Sequence, residues 1–164
     1  MKNFFYLLFL TFIIGGFVLT QTSYAAINSN HVLWTSSYNG GLQNSDTLKQ
    51  AFNILRQDKK NILYITSGTW IIHKNIELPI DLTIKVMEGA VFKPEKGKVL
   101  TINSAQHTTS GCFDFSSGGK ILFGDNINKV DFSWFVFDKE NVSPVFQQVY
   151  GALKQSQDLY VPNG

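Results

Sequence analysis

Residues 62–102 read ILYITSGTWIIHKNIELPIDLTIKVMEGAVFKPEKGKVLTI, and this stretch decides the fold. Short β-branched and aromatic runs recur in it: Leu63-Tyr64-Ile65, Trp70-Ile71-Ile72, Leu82 to Val86, Val91-Phe92 and Val99 to Ile102. Between them stand turn formers: Ser67-Gly68, Asn75, Pro79, Glu88-Gly89 and Pro94-Glu95-Lys96-Gly97. Closely spaced short strands broken by such residues read as all-β. Leu82, Ile84 and Val86 alternate with Thr83 and Lys85, the period of a strand with one buried face.

Upstream, Leu48, Ala51, Phe52 and Leu55 recur at helical spacing, with Lys49, Gln50, Asn53, Arg56 and Gln57 on the other side. The spacing predicts an amphipathic helix over 47–57, capped by Ser45 or Asp46. The polar segment 26–44 reads as a lead-in loop with one strand around Val32 to Trp34. Downstream, strands are expected at Cys112–Phe115, Lys120–Gly124 and Val130–Phe137. Val145, Val149 and Ala152 then form a second helical face, and Leu159-Tyr160-Val161-Pro162-Asn163-Gly164 echoes Leu63-Tyr64-Ile65-Thr66-Ser67-Gly68. A helix–turn–strand order repeated at this long interval suggests a solenoid of parallel strands.

The N-terminus, MKNFFYLLFLTFIIGGFVLTQTSYAA, sets one Lys before an apolar run from about Phe4 to Leu19. Ser23 and Ala25 supply the small residues that a signal peptidase requires, so cleavage is expected before Ala26, with export and no stable membrane insertion afterwards. Lys2 is the only charged residue removed, so the formal charge of the exported chain is one below the +2 of the 164-residue sequence. A near-neutral chain offers no electrostatic case for nucleic acid or anionic membrane. Cys112 is the only cysteine and has no partner for an internal disulfide; it reads as a small buried apolar residue.

The order Asp46-Thr47, the Leu48–Leu55 face, and then Leu63-Tyr64-Ile65-Thr66-Ser67-Gly68-Thr69-Trp70 resembles the N-terminal part of the pectate-lyase superfamily, the pectin-lyase-like proteins. That group carries an acidic residue plus Thr, an amphipathic helix, and a strand ending Pro-x-Gly-Thr-Tyr/Trp. The segment LTIKVMEGAVF is similar to a first coil, and KVDFSWF to the linker before a second copy. Thr66 stands where the group has Pro, though Pro162 keeps it in the second copy. The resemblance implies an all-β, right-handed parallel β-helix limited to its first coils, with a short N-terminal capping helix and a second partial copy of the cap–strand unit. With the signal peptide over 1–25 and the lead-in loop over 26–44 read from the residues, the resemblance adds the capping helix and first coils over 45–137 and a truncated second unit over 138–164. Polysaccharide is the implied partner. The coils that carry catalytic groups in the family would lie beyond Gly164, so no catalytic residue transfers to any position.

The residues themselves offer little chemistry. Asp114, Asp125, Asp131 and Asp138 are the candidate acids considered in the C-terminal half, and each sits at a turn or in an alternating run where solvation explains it. Arg56, the only Arg, falls on the polar side of the helix, a poor place for a lyase base. His31, His73 and His107 lack ligand spacing, so neither metal nor cofactor is expected. Ser117-Gly118-Gly119-Lys120 fails as a phosphate loop, since Asp114 and Ile121 stand where Gly and Ser or Thr are needed. Trp34, Tyr38, Trp70 and Trp134 remain as candidates for stacking on sugar rings, with core packing as the competing role. The expectation is an exported, non-catalytic segment associated with polysaccharide binding or processing; the alternative is a small surface or carbohydrate-binding module.

Overall fold

Asn44, Ser45, Asp46 and Thr47 stand together where the first helix begins, and each can cap a helix. The computed structural model, which describes residues 32–35, 39–59, 62–136 and 142–162, assigns the cap to Asn44. Its Oδ1 accepts from the backbone N–H of Asp46 and of Thr47, each at 3.0 Å, satisfying two donors that the first turn leaves unpaired. Helix α1 runs Ser45–Gln57, two residues longer than the sequence indicates. Leu48, Ala51, Phe52 and Leu55 are all buried, as their spacing requires.

Ten short strands follow one another among the described residues: β1 (Val32–Trp34), β2 (Ile62–Ile65), β3 (Gly68–Ile72), β4 (Ile76–Glu77), β5 (Thr83–Val86), β6 (Ala90–Pro94), β7 (Val99–Ile102), β8 (Lys120–Phe123), β9 (Lys129–Asp131) and β10 (Asp158–Tyr160). They form four small sheets, ordered β1-β2-β5, β3-β6, β4-β7-β8 and β10-β9, with every strand pair parallel. A second helix, α2 (Ser143–Ala152), precedes β10. This corrects the all-β, right-handed parallel β-helix expected from the sequence. Two α-helices contribute to the core, and the strands lie in separate sheets of two or three, with no closed or solenoid β-helix among the described residues. The physical reason is loss of pairing partners: beyond Phe92 of β6 the ladder continues only as single bridges at Phe113 and Phe135, where positive-φ glycines, Gly111 (φ 64) and Gly118 (φ 76), bend the chain out of extended conformation.

Register gives the core its order. Leu63 pairs with Ile84, Trp70 with Phe92, Ile76 with Leu100, Leu100 with Ile121, and Ile102 with Phe123. Like faces like, so apolar side chains of successive strands stack in files while intervening residues point outward. One file is aromatic. Isolated parallel bridges join Phe92 to Phe113 and Phe113 to Phe135. The Phe113 ring lies 6.1 Å from Phe92, 5.6 Å from Phe135 and 6.3 Å from Phe123.

Two strand expectations are corrected. Cys112–Phe115 forms only the bridges at Phe113, because positive-φ Gly111 and Gly118 bend the chain on either side. Within Val130–Phe137, of which Phe137 lies outside the described residues, the strand ends at Asp131 and only a single bridge at Phe135 follows, because the Asp131 carboxylate accepts from the Ser133 N–H at 2.8 Å and turns Phe132–Trp134 into a 3-10 turn. The later helix–strand unit is fastened by Gln157. Its buried amide donates to the carbonyls of Gly124 (3.0 Å) and Ile127 (2.8 Å), which ties the approach to β10 onto the turn between β8 and β9.

Candidate functional site

The acids and bases named from the sequence are engaged in structural contacts. Asp114 accepts from Ser116 N–H at 2.7 Å and from Lys93 Nζ at 2.9 Å. Partial burial would raise its carboxyl, but the Ser116 and Lys93 hydrogen bonds outweigh that and hold it below the ordinary carboxylate range. Asp125 pairs with Lys154, and Asp131 caps the 3-10 turn. Arg56 forms a two-point ion pair with Asp81 on the surface. Asp138, His31 and Tyr38 lie outside the described residues. Among the described residues no group of three His, Cys, Asp or Glu could hold a metal ion.

One constellation was not read from the sequence. Ser45 Oγ lies 3.3 Å from His73 Nδ1, and His73 Nε2 lies 3.0 Å from Asp46 Oδ2. The residue types are those of an acyl-transfer triad, but geometry assigns a different role. Ser45 is wholly buried at the first turn of α1, so no substrate carbonyl reaches its oxygen. Lys74 adds two bonds to Asp46, at 2.9 and 3.0 Å. Together Lys74 and His73 lower the Asp46 pKa below its usual value. The cluster fastens the N-terminus of α1 to the segment between β3 and β4.

Cys112 is equally closed to chemistry. Its Sγ accepts from the Thr109 N–H at 3.4 Å, and burial pushes the thiol up to about 12, so almost no thiolate forms at neutral pH.

The stacking candidates separate. Trp70 is buried in the core, and its indole N–H donates to the Thr66 carbonyl at 2.8 Å, which leaves no face for a sugar ring. Trp134 is half-buried against the core, 6.3 Å from Phe123. Trp34 takes part in β1 through its backbone, beside Tyr64.

A groove elsewhere has the shape of a ligand site. It lies between β8 and α2, with a volume of about 360 Å³. Phe115, Gly118, Gly119 and Lys120 line one side, and Gln147, Gln148 and Gly151 the other. Its volume falls within the range of small-molecule clefts. Phe115 stacks on Phe135 with centroids 5.4 Å apart and planes 8° apart, which makes one wall rigid. Gly119 is required by close approach, because a Cβ there would press on the backbone carbonyl of Pro94. Gln147 and Gln148 extend two exposed amides from α2, each able to donate and accept. Lys120 supplies the only charge along the lining. The groove offers hydrogen bonds without an acid–base pair. Sequence spacing gave no sign of it, since its halves come from segments far apart in the chain.

Compared with known proteins, the chain matches no family model, no curated protein and no solved structure.

Proposed function

We propose that this chain is an exported, non-catalytic module that binds polysaccharide in the groove between β8 and α2. The observation that carries the reading is the groove's chemistry: neutral amides of Gln147 and Gln148 face glycine backbone and an apolar wall at Phe115. Sugar hydroxyls are both donors and acceptors, and carboxamides match them in both roles. The absence of any paired acid and base along the lining favours holding a glycan over cleaving it. The likeness of residues 45–164, in the order and spacing of their motifs, to pectin-lyase-like proteins supports a carbohydrate partner. Export rests on the apolar N-terminal run and the Ser23-Tyr24-Ala25 sequence, and intact mass of the secreted chain should place its first residue at Ala26.

Affinity electrophoresis of the secreted chain through gels containing acidic and neutral polysaccharides tests the binding. Retardation is expected in at least one polymer. The double variant Gln147→Ala/Gln148→Ala removes two hydrogen-bonding groups worth about 1 kcal/mol each, so affinity should fall at least about tenfold. No release of reducing or unsaturated ends should accompany binding. Migration unaffected by every polymer would overturn the reading, as would retardation that the double variant leaves unchanged.

A further inference from the structure

His107 is the one buried side chain among the described residues with a polar atom left without a hydrogen-bond partner. It closes a 3-10 turn, Ala105–His107, that Ser104 caps by accepting from the Gln106 N–H at 3.2 Å. The turn packs against β5, and His107 is only 2 % exposed. Its imidazole interacts with the Leu82 backbone, while Nδ1 is the atom with no partner. A neutral imidazole tolerates this environment. An imidazolium has two N–H donors and a charge, and it would bury both with one backbone partner.

We propose that protonation of His107 undocks the Ala105–His107 turn from β5, so that this turn is an acid-released latch. No charged group stabilises the cation in place. The turn itself contributes Ala105 and Gln106; β5 contributes Lys85, which is exposed; and Asp81, just before Leu82, is held by Arg56. Burial accordingly lowers the imidazole pKa from its ordinary 6.5, only partly opposed by the Leu82 contact. The undocked form therefore takes up a proton at higher pH than the docked form. Docking is at full strength above about pH 6.5 and weakens as pH falls below it. The linkage allows up to about a tenfold change in the docking equilibrium per pH unit until the docked form itself protonates. The segment so released, between β7 and Phe113, leads directly to the aromatic file and then to the groove wall at Phe115.

Amide hydrogen exchange of the full chain, compared at pH 7.5 and 5.0 after correction for intrinsic rates, tests the latch. The His107 amide, which donates to Ser104 O at 3.0 Å, should lose protection in acid while those of β7 keep theirs. His107→Phe keeps a buried ring and removes the proton, so its protection should not vary with pH. His73→Gln, which removes the half-buried imidazole bonded to Asp46, should behave as wild type. The wild-type measurement stands even where the Phe variant fails to fold. Protection at His107 that is equal at both pH values would overturn the proposal, as would a folded Phe variant that keeps the wild-type pH dependence.

Discussion

Replacing Phe113 by Ala is expected to remove about 3–5 kcal/mol of stability, a large share of the roughly 5–15 kcal/mol that a folded domain holds in reserve. The ring is wholly buried and touches aromatic neighbours on three sides, at Phe92, Phe135 and Phe123. Such pairs add about 0.5–1.5 kcal/mol beyond the area they bury. The cavity would form where the backbone is least able to close over it. Phe113 is held by main-chain bonds on both sides: its N–H donates to Trp134 O at 2.9 Å, and its carbonyl accepts from Val136 N–H at 2.7 Å. Phe146 provides the contrast, as it is 41 % exposed on α2 and truncation there should cost under about 1 kcal/mol. Urea melts of both variants check the difference. A loss at Phe113 no larger than that at Phe146 would mean that the aromatic file is not where the core is held.

What the sequence made legible was local. The helix face Leu48, Ala51, Phe52 and Leu55 has a period that only burial on one side explains, and all four residues are buried. The runs at Leu63 to Ile65 and Val99 to Ile102 are strands with alternating burial. Less legible was anything decided by competition between neighbours. Asn44, Ser45 and Asp46 can each cap a helix, and the choice falls on Asn44, which also bridges to Ile71 of β3. Ser45 and Asp46 are thereby released to His73. No local signal reports a bridge to a strand that the chain has yet to form.

The architecture misled for a related reason. Repeated short strands and a recurring helix–strand unit read as one continuous β-helix, yet how far strands extend a common sheet depends on pairing partners. Asp131 illustrates this: one carboxylate bond to the Ser133 N–H converts an apparent strand into a turn. The candidate groove was invisible for a third reason, because its shape arises only where α2 lies beside β8.

The helix α1 should be the second point of failure, and Phe52→Asp should cost roughly 3 kcal/mol or more. Phe52 is 5 % exposed, between Leu48 and Leu55, neither of which is exposed at all. The aspartate would exchange a large apolar surface for a carboxylate with no cation on the buried face. It would either pay desolvation or take up a proton, and both outcomes weaken the docking of α1 on β2 and β3. One turn further on, Arg56 faces solvent and pairs with Asp81 while both side chains are about half exposed. Solvent screens that pair, so Arg56→Ala should change stability by no more than about 0.5 kcal/mol despite its two hydrogen bonds. The pair raises the Arg56 pKa and lowers that of Asp81. The Asp81 part of that small contribution is therefore present above the ordinary carboxylate range and lost as acid protonates Asp81. The two variants, melted in urea at pH 7, separate apolar packing from surface charge as the force that holds α1. Similar midpoints for both would show that the buried face of the helix contributes little; a large loss confined to Phe52→Asp is the outcome that burial requires.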